Sequence, residues 1–326
     1  MTAHLTVPNT HLITLQEPER DTFLKRARRN RSFVFGLGWI VVVGLAALLL
    51  PIVLHLDPYS VSPSSRLQGP SSTHWFGTDG FGRDVFARVL SGALTSLKVG
   101  LIVCGVSAVV GTMIGVLAAF NTVLDQVLMR ICDGLMAIPG ILLAVSLAAA
   151  LGPSTTNLII ALAVVYTPGL ARVVRSRALA VKSDTFVDAS RVQGARPVHV
   201  MVKHILPNTF SVTAVQATFI FAESVITEAA LSFLGAGVPQ PMASWGNMLN
   251  EGKDVIMQAP HIVIFTSIFL VMTVLALNLL GDGLRDIVDS RGATQRPKRL
   301  GVLGRMTKKN ATPQAPSRAA QKGEQR

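Results

Sequence analysis

The sequence predicts an all-α integral membrane protein with six transmembrane helices and a helical loop between the fourth and fifth. Half of the 326 residues are hydrophobic, only 15% are charged, and the mean hydropathy is +0.48. A soluble domain carries about 25% charged residues. The apolar residues fall into blocks, and the basic residues flank those blocks. This arrangement is typical of a chain that crosses a membrane several times.

Six blocks approach the roughly 20 apolar residues that a spanning helix needs. They cover residues 33–54, 97–120, 127–151, 157–175, 210–234 and 262–280. Pro168 should kink the fourth span. The alternative for the first block is a cleaved signal peptide, whose apolar core has about 7–15 residues. The block is longer than that and follows a polar tail, 1–32, so we expect an uncleaved span.

The basic residues predict the orientation of the chain. Twenty-five of the 30 Lys and Arg residues lie in the tail 1–32, in the connections 121–130 and 172–208, and in the segment 282–326. Four lie in the opposite connections. Retained positive charge marks the cytoplasmic side, so both termini are predicted to be cytoplasmic, around a transmembrane domain at 33–290.

The C-terminal tail, 291–326, is rich in Lys, Arg, Gln, Pro, Ala and Ser. That composition predicts a disordered segment in contact with anionic membrane lipid. The net charge of +12 is not gathered in one patch, so we expect no nucleic-acid partner.

The most informative stretch is the segment 183–208, which we call the elbow. Thr185 and the aspartate three residues later have the spacing of a capping box, so a helix should begin there. Gly194 is suited to end that helix. Pro197 should begin a second helix and Pro207 should end it.

The first elbow helix has a small apolar face. Phe186, Ala189 and Val192 are spaced three residues apart and therefore share one side of a helix. Such a face could occupy a groove on a partner protein. The alternative is an amphipathic elbow that rests on the membrane surface.

The elbow resembles the motif of permease subunits of bacterial ATP-binding-cassette (ABC) importers: E-A-A, three residues, G, nine residues, I-x-L-P. The spacing is kept, with Asp188, Ser190 and His204 as departures from the motif. By this resemblance the elbow is the coupling helix that docks into an ATPase subunit. The ATPase-coupling residues that it implies are Phe186, Asp188, Ala189, Ser190, Gly194, His204, Leu206 and Pro207.

Three further stretches resemble the dipeptide, oligopeptide and nickel branch of that family, namely 74–100, 228–252 and 278–291. The first contains G-T-D-x-x-G-R-D, in "HWFGTDGFGRDVFARV". The resemblance covers roughly residues 30–291. The residues of the outer-loop signature are Gly77, Thr78, Asp79, Gly82, Arg83 and Asp84.

The resemblance implies the type I importer permease fold (MetI-like) in the bacterial cytoplasmic membrane. The chain would form half of a translocation pathway for di- or oligopeptides, with nickel or another small solute as the alternative. The implied partners are a homologous permease, two ABC ATPase subunits and an extracytoplasmic binding protein. ATP and Mg would bind to the ATPase subunits, and no cofactor, metal or catalytic residue is expected in this chain.

The outer connection, 56–91, is too long for a simple link. Its glycines permit sharp turns, and Asp79, Arg83 and Asp84 can form a charge cluster that fixes them. We interpret it as a lid or brace on the outer mouth, and hypothesise that it helps to receive the binding protein.

Three acidic residues, Asp133, Glu223 and Glu228, lie in or near apolar spans, where a charge costs about 2.5–3.5 kcal/mol at the membrane centre. They should therefore face the pathway or pair with neighbouring helices. Gly111 and Gly115 form a G-x-x-x-G motif, which predicts close helix packing.

The sequence contains no G-x-x-x-x-G-K-[ST] phosphate loop, so the energy must come from an ATPase partner or an ion gradient. A proton-coupled secondary transporter that uses Asp133 or the glutamates is one competing hypothesis. A membrane enzyme is another, but the histidines are scattered and the chain lacks H-E-x-x-H and G-x-S-x-G. Cys104 and Cys132 are too few for a disulfide framework or a four-ligand metal site.

Overall fold

Apolar helices dominate the described part of the chain, which is residues 23–293 of a computed structural model. The helices are Phe23–Arg29 (α1), Arg31–Val53 (α2), Val85–Phe120 (α3), Thr122–Met136 (α4), Gly140–Leu151 (α5), Thr155–Lys182 (α6), Thr185–Val192 (α7), Pro197–Val200 (α8), Leu206–Phe233 (α9), Trp245–Lys253 (α10) and Pro260–Ala293 (α11). A π-helical turn, Met201–Ile205, joins α8 to α9. Disorder and lipid contact were predicted for 291–326. The first three of these residues belong to α11, where disorder was wrong, and 294–326 lie outside the described residues.

Five helical segments within residues 23–293 are long and apolar enough to cross a membrane. They are α2, α3, α6, the continuous run Pro197–Phe233 and Pro260–Asp289 of α11. Counted as one bent span, α4 and α5 bring the number to six. The predicted fold class, all-helical with six spans, is confirmed.

The third predicted span, 127–151, was wrong as a single helix. The chain forms α4 and α5 instead, and the two helix axes are bent by 92°. Pro139 has an extended backbone, with ψ at 126°, and lies directly before α5. A proline disfavours helical geometry in the residue before it, which here is Ile138. The backbone N–H groups of Leu142 and Leu143 donate to the Pro139 carbonyl at 2.9 and 3.1 Å, so α5 begins anew from that residue.

Helix α3 begins 12 residues before the predicted span 97–120. A helix of 36 residues is about 54 Å long, whereas the hydrocarbon core of a bilayer is about 30 Å thick. Its first three turns can therefore stand outside the membrane. The Asp84 side chain caps this extension by accepting from the Ala87 N–H at 2.9 Å.

The two glycines of the G-x-x-x-G motif in α3 face α6. A Cβ atom on Gly111 would lie 2.8 Å from Leu170 Cδ2, and one on Gly115 would lie 2.6 Å from the Ala171 carbonyl oxygen. Both distances are shorter than a side chain tolerates, so only glycine lets the two helices approach this closely. Helix α3 thereby lies between α6 and α9, which it contacts most extensively.

Candidate functional site

The elbow contains the short helix α7, which is separated from α6 by a tight turn. Helix α7 begins at Thr185, where the sequence places a helix start, and Gly194 follows its end with φ at +83°. That backbone conformation is easily adopted by glycine and costs an ordinary residue free energy. Pro197 occupies the first turn of α8.

The capping box predicted for the elbow was wrong. The N-cap of α7 is Asp184, whose side chain makes no capping hydrogen bond, so there is no capping box. Asp188 instead accepts from Arg191 Nη1 at 3.3 Å.

Pro207 does not end the second elbow helix, because the chain is helical without interruption from Pro197 to Phe233. The π turn explains why. In it the Leu206 N–H reaches back to the Met201 carbonyl, which adds one residue to the turn before the proline and relieves its ring from the preceding backbone. The Asn208 side chain donates to the His204 carbonyl at 2.7 Å and so satisfies an acceptor beside the proline.

One side of the elbow is anchored in the helical bundle. Val187 of α7, Val200 of α8 and Ile205 of the π turn are each at most 1% exposed. They belong to the same buried cluster as Ala178 and Val181 of α6. A movement of the elbow therefore has to move α6 and α9 as well.

The opposite side of the elbow displays the predicted apolar face. Val192 is 89% exposed, Phe186 is 44% exposed, and Ala189 is also exposed. His204 braces this face, since its ring centroid lies 5.8 Å from that of Phe186 and its Nε2 lies 3.5 Å from Ser190 Oγ. Leu206 and Pro207 are exposed beyond it.

A second region, which we call the charge cluster, joins the connection after α2 to α3 and α10. It consists of Asp79, Arg83, Arg88 and Glu251. Arg83 Nε donates to Asp79 Oδ2 at 2.6 Å, and Arg83 Nη2 donates to Glu251 Oε2 at 2.6 Å. Arg88 Nη2 lies 3.0 and 3.2 Å from the two Glu251 carboxylate oxygens.

The predicted cluster contained Asp84, which lies elsewhere: it caps α3 and its carboxylate lies 2.8 Å from His74 Nδ1. Sequence reasoning missed Arg88 and Glu251, which are 163 residues apart in the chain. The burial of charged residues in this segment could be found only from the fold. The one local indication of the cluster in the sequence is the pattern "GRDVFAR", in which two arginines lie five residues apart at the start of a helix.

Gly77 of the outer-loop signature lets the same connection lie close against α11. Gly77 and Gly82 both have φ at +77°. A Cβ atom on Gly77 would lie 2.7 Å from His261 Nε2, which itself lies 3.2 Å from the Thr78 carbonyl oxygen. The Thr78 hydroxyl donates to the Ser65 carbonyl, so the loop is fixed from both sides.

The three acidic residues of the spans lie in different surroundings. Asp133 accepts from Arg172 Nη2 at 2.6 Å. Glu228 is fully buried, and its carboxyl group accepts from Ser96 Oγ and Ser232 Oγ, each at 2.7 Å. It thereby ties α9 to α3 within this chain rather than facing a pathway.

Glu223 lines a groove of about 250 Å³ between α6, α9 and the break that separates α4 from α5. Met136, Ile138 and Gly140 contribute the side of the break. Gln216 lies on the same face of α9, two helical turns away. The remaining lining residues are Leu135, Leu143, Val165, Tyr166, Gly169, Leu170 and Ile220.

The chain is similar to known transport proteins. Residues 111–293 match the family described as "Binding-protein-dependent transport system inner membrane component". A putative peptide transport system permease protein of Brucella abortus is 46% identical over 267 residues, which are 82% of this chain and 90% of that protein. The dipeptide transport system permease protein DppC of Alkalihalophilus pseudofirmus is 39% identical, over 85% of this chain and 91% of its own.

A glutathione transport system permease protein of Pectobacterium atrosepticum is 38% identical, over 88% of this chain and 95% of that protein. Among solved structures, the inward-facing MetNI methionine ABC transporter matches 61% of this chain and 95% of its own chain. The TM-score is 0.52 at 23% sequence identity, so this likeness concerns the fold.

Proposed function

The chain belongs to the family of binding-protein-dependent transport system inner membrane components, and from that premise we propose that it forms half of the translocation pathway of an ATP-driven peptide importer. The observation that carries the proposal is the elbow, which is anchored on one side and displays Phe186, Ala189 and Val192 on the other. An exposed apolar face on a fixed helix is suited to dock into a groove of another protein.

The partners in this proposal are a homologous permease, two ABC ATPase subunits and an extracytoplasmic binding protein. ATP and Mg bind to the ATPase subunits, which carry out the hydrolysis. The chain lies in the bacterial cytoplasmic membrane, with the elbow and both termini in the cytoplasm, as the distribution of basic residues favours. The charge cluster then lies on the outer side, where it braces the surface that receives the binding protein.

The transmission of force follows from the anchored side of the elbow. When the ATPase subunits close, they move α7, and the buried side chains of Val187, Val200 and Ile205 carry that movement into α6 and α9. Because α8, the π turn and α9 form one continuous helical run, a displacement at Pro197 reaches the groove at Glu223.

Peptides are the proposed substrate because similar chains are named as peptide, dipeptide and glutathione permeases. A proton-coupled carrier is less well supported by the acidic residues. Asp133 is held by Arg172, and Glu228 is buried against two serines, so these two residues do not form a proton relay with Glu223.

The test is the variant Ala189→Arg, which places a bulky charge on the exposed face of α7 without touching its buried side. We expect the variant to insert in the membrane, to lose co-purification with the ATPase subunits, and to lose ATP-dependent peptide uptake in proteoliposomes. Ser60→Arg, an exposed position in the connection after α2, is the matched control and should retain the ATPase. Undiminished association of the ATPase with Ala189→Arg would contradict the coupling role.

A further inference from the structure

The groove at the α4–α5 break contains a single acidic side chain whose role the elbow does not explain. We propose that the Glu223 carboxylate is a transient binding point for the α-ammonium group of the transported peptide. This inference rests on the proposed peptide-importer function and adds to it a site within the pathway and the chemical group that the site recognises.

The broken helix and the exposure of residues 137–140 at the break fit a groove that water reaches. Backbone that leaves the helix at membrane depth is tolerated where it is buried in protein or lines a water-filled cavity. Residues 137–139 lie between α4 and α5, and the groove is lined by Met136, Ile138 and Gly140 at that break. The groove is also open, since Glu223 belongs to the exposed residues of α9.

Glu223 differs from the other two acidic residues of the spans in lacking a partner. In residues 23–293 its carboxylate has no hydrogen bond or ion pair, whereas Asp133 has Arg172 and Glu228 has two serine hydroxyls. An unpaired charge at membrane depth costs several kcal/mol and marks a ligand pathway more often than a packing position. The nearby Tyr166 hydroxyl bonds to the Thr227 hydroxyl and the Glu223 carbonyl, and so leaves the carboxylate unengaged.

The position of Glu223 on α9 fits a substrate contact. It lies ten residues, or about 15 Å, before the end of α9 at Phe233, which places it well inside the span. Gln216 extends the polar face two turns further along the groove. A carboxylate and an ammonium group form a charge-assisted hydrogen bond that strengthens where bulk water is reduced. A free peptide amino terminus carries that ammonium group at neutral pH.

Gly169 offers a probe for this charge, because it lines the same groove and an added Cβ atom would meet nothing within 4 Å. The full-length Gly169→Cys chain is treated in detergent with two methanethiosulfonate reagents. One carries a cationic trimethylammonium group and the other an anionic sulfonate group. The parent chain, which contains only Cys104 and Cys132, is the blank. We expect the ratio of cationic to anionic labelling rates to fall about 3- to 10-fold when Glu223→Gln is added. Asp254→Asn, an exposed carboxylate at the end of α10, should leave the ratio unchanged.

The ammonium group is tested by protection. Ala-Ala should slow the cationic labelling of Gly169→Cys in the Glu223 chain and not in Glu223→Gln. N-acetyl-Ala-Ala and an equal concentration of potassium chloride should not protect. Three results would each overturn the inference. They are a ratio of labelling rates that Glu223→Gln leaves unchanged, equal protection by the acetylated peptide, and no protection by Ala-Ala. Failure of the proposed function is a separate result, namely that the assembled parent importer takes up no peptide.

Discussion

The elbow and the charge cluster both contain residues that the sequence singled out, yet the two regions expose their side chains in opposite ways. The elbow displays apolar groups, with Val192 at 89% exposure. The charge cluster hides ionic groups, with Arg88 at 1% and Asp79 at 3% exposure. Each arrangement is unfavourable for an isolated surface or an isolated charge. The cluster finds its compensation inside the chain, and in the proposed function the elbow finds it in the ATPase subunit.

This difference predicts different effects for substitutions in the charge cluster and for substitutions in the elbow. A change in the charge cluster should act on the stability of the chain itself, because both arginines would lose a buried counter-charge. A change on the displayed face of the elbow should act on assembly and leave the fold intact. Measurements of unfolding and of ATPase association therefore distinguish substitutions in the two regions.

The largest effect is expected for Glu251→Ala. Its carboxylate receives both Arg83 and Arg88, so its removal leaves two buried guanidinium groups with Asp79 as the remaining acidic partner. Breaking a buried ionic pair on one side costs about 3–5 kcal/mol. We expect a loss of this size in the free energy of unfolding, measured by denaturant titration in mixed micelles.

Asp254→Ala is the matched control for that measurement, because it removes an exposed carboxylate three residues further along the chain. It should unfold as the parent chain does, within about 0.5 kcal/mol. If Glu251→Ala unfolded together with this control, the cluster would not be an internal brace, and its residues would have to be reassigned to a partner surface.

The cluster also shows where sequence reasoning reaches its limit. Asp79 and Arg83 are four residues apart, so their pairing could be predicted from local spacing. Glu251 lies on a different helix, and its pairing with Arg88 depends on how α10 packs against α3. Local spacing contains no information on that packing.

Proline positions show a second limit. Gly194 and Pro197 act within their own turn of the elbow, and the structure places a helix boundary beside each. Pro207 was expected to end a helix, but a π turn absorbs its ring. Pro139, inside a block apolar enough to be one span, does end a helix. Whether a proline breaks a helix depends on the turn before it, which hydropathy does not reveal.

An intermediate effect is expected for Val187→Ala, which changes the anchored side of the elbow. Val187 is fully buried against the cluster formed by α6, α8 and the π turn. Loss of two buried carbon atoms, with the cavity they leave, costs about 2 kcal/mol. We expect unfolding to shift by that amount, with peptide uptake reduced more than ATPase binding, since the docking face remains.

For this variant the informative quantity is the ratio of uptake to ATP hydrolysis in the assembled importer. The elbow would still receive the ATPase but would transmit less of its movement to α6 and α9. An unchanged ratio would show that the buried side of the elbow only fixes its position, and that coupling passes through another contact.

The smallest effect on stability is expected for Val192→Asp. Because this side chain is 89% exposed, the free energy of unfolding should stay within about 0.5 kcal/mol of the parent value. ATPase association should nevertheless fall at least about tenfold, since an aspartate would be desolvated against an apolar groove without a counter-charge, which costs more than 1.4 kcal/mol. Affinity measured by titrating the ATPase onto the detergent-purified permeases tests this expectation.

The isosteric Val192→Thr serves as control, because it keeps the shape of the side chain and adds no charge. If Val192→Asp bound the ATPase as tightly as Val192→Thr, the displayed face would not be the docking surface, and the contrast between the two regions would reduce to a difference in burial.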